Sequence, residues 1–239
     1  MHRVPSEFDE YARNYLQQLD HPLRRIVTST NGNYFIDLKC TILYELMESA
    51  HLRPSDLAVA DIGSGIGLFE ERFGGEFASL AALDLSHESL KVSSHLHPAG
   101  NCEGYVCSDA LRLPLASASL DIVFCSCLFH HMDHSCLDDA LQEMHRVCKV
   151  GGYVVVFEHN PFNPLTQLVV RTTPLDKNAR LLRPRQVISA FLSARSNIIA
   201  KDFILFGPRP LDTWLRRFKG LLNRVPFGGQ YVIIGQKQR

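Results

Sequence analysis

The sequence lacks any hydrophobic run long enough to cross a membrane. Its most apolar stretches, such as YVVVF at residues 153–157, are far shorter than the roughly 18 to 20 residues that a membrane-spanning helix requires. An N-terminal signal region is also missing, because Met1 is followed by His2, Arg3 and Pro5 rather than by an apolar segment with a cleavage site. These absences exclude the transmembrane class and predict a cytoplasmic protein.

Paired cysteines are missing as well. The seven cysteines are odd in number and scattered, and they fit neither a disulfide framework nor a paired C-x-x-C zinc arrangement. We therefore expect reduced, buried thiols.

The formal net charge of the chain is zero, because 25 Lys and Arg balance 25 Asp and Glu. The balance hides an asymmetry: residues 1–159 contain 11 basic and 22 acidic side chains, and residues 160–239 contain 14 and 3. The basic last third indicates either an anionic partner or membrane surface, or charges that balance across one folded surface. The amphipathic segment at residues 209–225 leaves the same choice open, between a helix on an anionic lipid surface and a helix packed on its own sheet.

Strand and helix patterns alternate through most of the chain. Two amphipathic helical segments, 7–19 and 34–50, precede the first strand. The predicted strands are 57–63, 79–85, 104–110, 120–126, 153–160, 197–206 and 230–237, and the predicted helices between them are 67–74, 86–96 and 135–149. After Pro161 the rhythm changes to a stretch with Pro and Arg. The alternation predicts an α/β fold with a doubly wound, mostly parallel sheet.

The first predicted strand ends in a glycine-rich turn. VADIGSGIGLFEERF, residues 59–73, has glycine at positions 63, 65 and 67. Glycine permits positive φ and a close approach of a ligand to the backbone. The dinucleotide pattern G-x-G-x-x-G is not met, because its third glycine falls on Leu68, and no G-K-[ST] of a phosphate-binding loop follows.

The pattern D-x-G-x-G-x-G resembles motif I of the class I S-adenosylmethionine-dependent methyltransferases, with Asp61, Gly63, Gly65 and Gly67 at its four defining places. LDIVFCSCLFHHM, from residue 120, resembles that family's fourth-strand motif. LQEMHRVCKVGGYVVVFEH, from residue 141, is similar to its helix, Gly-Gly turn and fifth strand. FDEYARNY, from residue 8, resembles the N-terminal lid of the branch that includes ubiquinone and menaquinone biosynthesis methyltransferases.

The resemblance implies a Rossmann-like, seven-stranded sheet with an antiparallel last strand, helices on both faces and an N-terminal helical lid. It implies one domain over residues 1–239, with a cap at 1–55, a cofactor-binding core at 56–160 and an acceptor-side part at 161–239. The implied cofactor is S-adenosyl-L-methionine. Its expected contacts are Asp61, Gly63, Ser64, Gly65, Gly67, Asp84, Leu85, Asp109, Ala110, Cys125 and Ser126.

Two of these contacts are carboxylates at strand ends. The resemblance gives Asp84 the ribose hydroxyls, because a carboxylate there accepts both hydrogen bonds. It gives Asp109 the adenine amino group, with Ala110 and Leu111 against the ring.

Candidate catalytic residues follow the fourth strand in FHHMDH. Histidine titrates near neutral pH, so His131 is the first candidate for a general base and His130 the second. Glu158 and His159, at the end of the fifth strand, are candidates for orienting the acceptor, and one of the two is expected to point away. A metal site formed by His130, His131 and His134 with Asp133 is the alternative, because His130 and His134 are four residues apart, but His131 replaces the Glu of H-E-x-x-H, and we expect no metal.

The sequence thus predicts a methyltransferase that acts at an oxygen atom of a small-molecule or lipid-linked acceptor. The basic last third favours an anionic acceptor. Nucleic acid is not expected as a partner, because the chain has no basic excess and CSCL stands where an N-P-P-[YF] motif of amino-group DNA methylation would be. The alternatives are a non-catalytic protein that binds the cofactor or its demethylated product, and a nicotinamide-dependent oxidoreductase, which Leu68 disfavours.

Overall fold

A single seven-stranded sheet organises the protein. The computed structural model describes residues 7–12, 33–73, 75–97, 104–207, 212 and 225–238. The strands are β1 (Ala58–Ile62), β2 (Ser79–Asp84), β3 (Gly104–Cys107), β4 (Leu120–Ser126), β5 (Cys148–His159), β6 (Ser196–Ile204) and β7 (Gln230–Lys237). Their order is β3-β2-β1-β4-β5-β7-β6. Strands β1 to β5 pair in parallel, and β7 is antiparallel to both β5 and β6, which confirms the predicted fold.

The order of the strands reverses between β1 and β4. In an open parallel sheet, ligands bind beyond the carboxyl ends of the strands at such a switch point. In the register, Asp61 pairs with Ala82 of β2 on one side and with Phe124 of β4 on the other. The end of β1 therefore lies in the middle of the sheet, where loops from several strands converge.

Helices cover both faces of the sheet. They are α1 (Asn33–Ser49), α2 (Leu68–Phe73), α3 (His87–Leu96), α4 (Leu137–Val147), α5 (Pro164–Thr172) and α6 (Pro184–Ser193). Ser86 caps α3, and its Oγ atom accepts a hydrogen bond from the Ser89 N–H at 3.1 Å. None of the described helices is long and apolar enough to span a membrane.

Successive residues of the strands feed two separate apolar clusters. In β4, Val123 and Cys125 pack in the cluster with Leu141 of α4. Ile122 and Phe124 pack in the cluster that contains α1 and α2. This alternation is the period of two that a strand covered on both faces requires, and it fixes which side chains of β4 and β5 are available to the switch point.

Two helices lie in the Pro- and Arg-bearing stretch, where the sequence pattern predicts none. Helix α5 begins with Pro164, and Asn163 caps it by accepting a hydrogen bond from the Thr166 N–H at 3.0 Å. Helix α6 likewise begins at Pro184. Proline is favoured in the first turn of a helix, because its missing N–H would have no partner there. The prolines therefore mark helix starts rather than interruptions.

Two sequence-based expectations concern segments of which only a few residues are described. Of the predicted N-terminal helix at 7–19, residues 7–12 are described, and they form a short 3-10 turn at Glu7–Asp9. Of the amphipathic segment at 209–225, only Asp212 and Val225 are described. The cysteines at 40, 107, 125, 127, 136 and 148 are free thiols, but the expectation that they are buried holds only for Cys40, Cys125 and Cys148, since Cys107 is exposed and Cys127 and Cys136 are partly exposed.

Candidate active site

The glycine turn lies at the end of β1 and is folded back onto β2. The N–H groups of Gly63 and Ser64 both donate to the Leu83 carbonyl, at 2.7 and 3.0 Å. Gly67 has a φ of +81°, and a Cβ atom on it would lie 2.0 Å from the Ser93 Oγ atom of α3. Only glycine fits at this position. A Cβ atom on Gly65 would meet nothing within 4 Å, because this glycine faces a cavity.

That cavity has a volume of about 450 Å³ and extends across the switch point. Its walls combine the glycine turn, the ends of β2 and β4, the loop after β3, and the segments around α5. The residues that line it and that the sequence predicts as site residues are Gly63, Gly65, Asp84, Leu85, Asp109, Ala110, Ser126, His130, His131 and His159, so that of the pair Glu158 and His159 it is His159 that reaches the cavity. A cavity of this kind, concave and mostly apolar with a few polar groups, is the usual form of a small-molecule site.

Asp84 and Asp109 are both on the cavity wall. The Oδ2 atom of Asp84 accepts a hydrogen bond from the Gly65 N–H at 2.8 Å, and its Oδ1 atom accepts one from the Ser86 N–H at 2.7 Å. The Oδ1 atom of Asp109 accepts a hydrogen bond from the Leu111 N–H at 2.9 Å. Both carboxylates are thus held in fixed orientations by backbone groups, and each oxygen retains capacity for a further donor.

Asp61 and Glu70 lie behind the glycine turn and do not line the cavity. Both are buried, and none of their carboxylate oxygens has a hydrogen-bond partner among the described residues. Burial, followed by the charges of Glu70 and Asp84, raises the pKa of Asp61 well above its ordinary value, and burial raises the pKa of Glu70 to about 7. Buried carboxylates without a partner are costly, so this part of the site is suited to a ligand that carries positive charge.

The end of β4 contributes residues of different exposure. Cys125 is fully buried in the apolar cluster and does not reach the cavity, whereas Ser126 and Cys127 line it. Cys127 has a φ of +58°. Burial raises the pKa of the Cys127 thiol, but the positive charges of His159 and Lys39 outweigh burial and lower it to about 6. The thiol is therefore in an electropositive environment.

Lys39 of α1 is a cavity residue that sequence reasoning missed. Its side chain is 3% exposed, and its Nζ atom donates to the Ser126 Oγ atom at 2.7 Å. It is a single charged residue on the apolar face of α1, between Leu38 and Ile42. A charge in the middle of a predicted buried stripe was the signal that could have identified it.

A cluster of histidines and carboxylates forms the other side of the cavity. The His130 Nδ1 atom and the Glu158 Oε2 atom are 2.7 Å apart, and the Glu158 Oε1 atom accepts a hydrogen bond from the Phe129 N–H at 2.7 Å. The Asp176 Oδ1 atom lies 3.7 Å from His130 Nε2 and 3.5 Å from His131 Nε2. Glu158 does not line the cavity, but His130, His131 and Asp176 do.

The charges in this cluster are strongly coupled. Burial lowers the pKa of His130, but the charge of Glu158 and the contacts with Asp176 and Glu158 outweigh burial and raise it to about 10. Burial and the charge of His130 lower the pKa of His131 to about 3. The pKa values of Glu158 and Asp176 are lowered, because His130 more than offsets their burial. In the absence of other ligands, the cluster therefore holds its proton on His130, between two carboxylates.

The structure separates the other members of the FHHMDH motif from this cluster. The His134 Nε2 atom contacts the Arg180 carbonyl at 2.9 Å, and the exposed Asp133 caps the turn that follows it. Asp176 comes instead from a turn after α5. It is one of only three acidic residues after position 159, which is the signal that could have drawn attention to it.

The N-terminal turn closes one edge of the cavity. The Phe8 ring packs edge-on against the His131 ring, with centroids 5.0 Å apart. The Asp9 Oδ1 atom accepts hydrogen bonds from the Ser86 Oγ atom at 2.7 Å and from the Glu88 N–H at 3.2 Å. An aromatic residue of the N-terminal segment thus lies over the site and is anchored to the start of α3.

Comparisons with known proteins agree with this geometry. Residues 60–156 match the family model described as a methyltransferase domain. A malonyl-[acyl-carrier protein] O-methyltransferase from Marinomonas sp. (strain MWYL1) is 35% identical over 153 residues, which are 62% of this chain and 53% of that protein. A demethylmenaquinone methyltransferase from Thermobifida fusca (strain YX) is 34% identical over 115 residues, 46% of this chain and 48% of that protein. This chain thus spans about half the length of these two relatives.

Solved structures show the same fold across nearly the whole chain. A geranyl diphosphate C-methyltransferase from Streptomyces coelicolor A3(2), in a complex that includes S-adenosyl-L-homocysteine, matches with a TM-score of 0.62 at 18% sequence identity. The match covers 98% of this chain and 100% of that one.

Proposed function

We propose that this chain, whose residues 60–156 match the methyltransferase domain model, transfers the methyl group of S-adenosylmethionine to an oxygen atom of a small-molecule or lipid-linked acceptor. One observation carries this proposal. A single cavity joins the glycine turn and its carboxylates to a second set of polar groups, the histidine cluster, so that cofactor and acceptor have adjoining places.

The residues present fit the cofactor. Asp84 is fixed at the strand end where a ribose would bind. The orphaned carboxyl groups of Asp61 and Glu70 lie behind the turn, where a cation in the cavity would stabilise their charged forms without contacting them. We assign the cofactor's carboxylate to Lys39, because its buried ammonium group lines the cavity. When bound, S-adenosylmethionine supplies a methyl group that its sulfonium already activates for displacement.

The chain's own contribution is alignment and exclusion of water. Holding two reactants in a productive arrangement is worth roughly 7 to 11 kcal/mol of activation free energy. The Phe8 ring covers the His131 side of the cavity, and the glycine turn is fixed by Leu83 and Asp84. The cofactor side and the acceptor side are therefore both built on ordered elements.

We propose that His131 and His130 contact the acceptor oxygen, either receiving its proton or holding it as an anion. Both rings line the cavity, and their centroids are 4.1 Å apart. Glu158 is then a positioning residue: it does not reach the cavity, but it orients the His130 ring through a 2.7 Å hydrogen bond. Replacing Glu158 with Gln is expected to lower kcat with little change in the affinity for the cofactor.

An apolar edge at the cavity supports an acceptor with a hydrophobic part. Leu165 lines the cavity and is partly exposed, and Phe162, Leu168 and Phe227 are exposed large hydrophobic side chains on neighbouring segments. Leu165 and Leu168 lie on the same face of α5, three residues apart. The name of the relative from Marinomonas sp., malonyl-[acyl-carrier protein] O-methyltransferase, supports the other part of the proposal, methyl transfer to oxygen on an acceptor attached to a carrier.

The test is a pair of measurements on the purified chain. Calorimetry with S-adenosylmethionine and S-adenosylhomocysteine should show saturable binding of both. Incubation with methyl-labelled cofactor and a panel of acceptors, including a malonyl-carrier protein and a demethylated quinone, should then transfer label to one of them. Binding without transfer to any acceptor would favour a non-catalytic binding protein, and binding of NAD in place of both compounds would overturn the proposal.

A further inference from the structure

Three side-chain atoms converge at the acceptor side of the cavity. The ligand atoms of His130, His131 and Asp176 all lie within 4.8 Å of one another. Two of the separations, from the Asp176 Oδ1 atom to the Nε2 atoms of the two histidines, are 3.7 and 3.5 Å. A metal ion bound at about 2.1 Å in tetrahedral geometry separates its ligand atoms by about 3.4 Å. These two separations come close to that spacing, and the remaining pair of ligand atoms lies within 4.8 Å.

The His130 ring is oriented as a ligand would be. Its Nδ1 atom is bonded to Glu158, whose other oxygen is held by the Phe129 N–H. This leaves the Nε2 atom turned toward the cavity, buried and without a hydrogen-bond partner among the described residues. Histidine ligands of metal ions almost always give their second ring nitrogen to a carboxylate or a carbonyl, which fixes the tautomer and the ring plane.

The supporting backbone is also fixed. His130 and His131 lie in the 3-10 turn Phe129–His131, and Asp176 ends the 3-10 turn Pro174–Asp176. Four residues after the second turn, the Arg180 N–H donates a hydrogen bond to the His130 carbonyl at 2.7 Å, which links the two parts of the chain. The three donor groups therefore come from short, rigid segments that are tied together.

The charge of the cluster calls for a cation. Glu158 is fully buried and Asp176 is 4% exposed, so two carboxylates lie close to one histidine pair with little contact with water. Removing two negative charges from water is expensive unless positive charge accompanies them. The proton on His130 supplies part of that charge when no metal ion is bound, and a divalent ion that displaces this proton and binds at the three ligand atoms balances both carboxylates.

We propose that His130, His131 and Asp176 bind one divalent first-row transition-metal ion, and that this ion, in place of direct contact with the two rings, holds the acceptor oxygen in the cavity. Two imidazoles and one carboxylate suit zinc, iron, cobalt or manganese, whereas magnesium prefers oxygen ligands. The part of the proposal that concerns the acceptor rests on the proposed methyl transfer; the binding of the ion does not.

The ion acts on the acceptor as a Lewis acid. A hydroxyl oxygen bound to it loses its proton to solvent more readily, because the cation stabilises the oxygen anion. That oxygen then forms the new O–C bond as the C–S bond of the cofactor breaks, and the electron pair of the broken bond stays on sulfur. The products are the methylated oxygen and S-adenosylhomocysteine, so atoms and charge balance.

The experiment is a cobalt titration of the full chain after removal of metal ions with a chelator. Visible absorption of Co²⁺ should rise to saturation at one equivalent, and Zn²⁺ should displace it. Asp176→Asn and His131→Gln should each weaken Co²⁺ binding by a factor of about 100 or more, and Glu158→Gln by about 10 to 100. His134→Gln is the matched control, since His134 follows in the same motif but bonds to a carbonyl outside the cluster, and it should bind Co²⁺ as the unmodified chain does.

Titration of the same samples with S-adenosylhomocysteine separates this inference from the proposed function. If Asp176→Asn keeps its affinity for S-adenosylhomocysteine, the variant is folded. If Asp176→Asn does not fold, the test uses His131→Gln, which replaces a partly exposed ring. Failure to bind Co²⁺, or equal binding by the ligand variants and the unmodified chain, overturns the metal site alone. If the unmodified chain binds Co²⁺ but does not bind S-adenosylhomocysteine, the proposed methyl transfer alone is overturned.

Discussion

The Asp84 carboxylate accepts a hydrogen bond from the Gly65 N–H at 2.8 Å, and so joins the end of β2 to the glycine turn that follows β1. The residue proposed to bind the ribose therefore also holds the glycine turn in place. Cofactor binding and the shape of the turn depend on the same side chain, and this coupling shapes the first prediction.

Asp84→Ala should raise the Kd for S-adenosylhomocysteine by about 10² to 10⁴, because hydrogen bonds to a charged group are worth about 1.5 to 3 kcal/mol each and two are lost. Adenosine should lose a similar factor, since the lost contacts are with the ribose. Calorimetry measures both. Asp138→Ala, at an exposed carboxylate of α4, is the control, and an unchanged Kd in Asp84→Ala would remove the ribose assignment.

Lys39→Met tests the other end of the cofactor. The substitution keeps the apolar stem of the side chain and removes the ammonium group, so the Kd for S-adenosylhomocysteine should rise by about 10 to 100. The Kd for adenosine, which has no carboxylate, should stay the same. Lys91→Met, at an exposed position of α3, should change neither value. An equal loss for both ligands would show that Lys39 does not bind the amino-acid part.

Asp9→Ala should loosen the contact between the N-terminal turn and α3. Its carboxylate accepts two hydrogen bonds at the start of that helix, and a capping interaction of this kind is worth about 1 kcal/mol. If Phe8 helps to close the cavity only while Asp9 is anchored, the Kd for S-adenosylhomocysteine should rise about fivefold. Glu10→Ala, an exposed neighbour, serves as the comparison; identical affinities for the two variants would refute the role of the anchor.

Glu70 should make the stability of the ligand-free protein depend on pH. Burial raises its pKa from 4.5 to about 7 in the folded state, so the folded protein binds an extra proton between these values and loses stability as the pH rises through them. Glu70→Gln should therefore raise the free energy of unfolding at pH 8, by an amount on the order of 3 kcal/mol, and change it little near pH 4. Urea unfolding at both pH values measures this.

The control for that measurement is Glu71→Gln, because Glu71 is partly exposed and pairs with Arg72. It should give a small difference that does not grow between pH 4 and pH 8. If Glu70→Gln gives the same small difference at both pH values, the carboxyl group of Glu70 titrates normally, and burial behind the glycine turn does not destabilise its charged form.

Local patterns were enough to predict where the strands lie and that most of them are parallel, whereas the antiparallel last strand was implied by the family resemblance. The spacing of apolar residues in β1, β2 and β4 reflects burial of both faces of the sheet, and the glycines at 63, 65 and 67 reflect a backbone conformation that the chain adopts within a few residues. Helices α5 and α6 were not predicted, because the pattern of the stretch after Pro161 was not assigned to helices; each of the two helices begins at a proline, which the first turn of a helix favours.

The sequence by itself determined the fold, the glycine turn and the carboxylates at the ends of β2 and β3, because each is a property of a short segment or of a regular alternation. Only the tertiary structure decided that His130 lies next to Asp176 and not next to His134, and that Glu158 lies behind His130. The same holds for Lys39, which extends from helix α1 to Ser126 at the end of β4. These contacts join residues 28 to 87 positions apart. Such pairs are fixed by how helices and loops pack on the sheet, and packing leaves no periodic trace in the sequence.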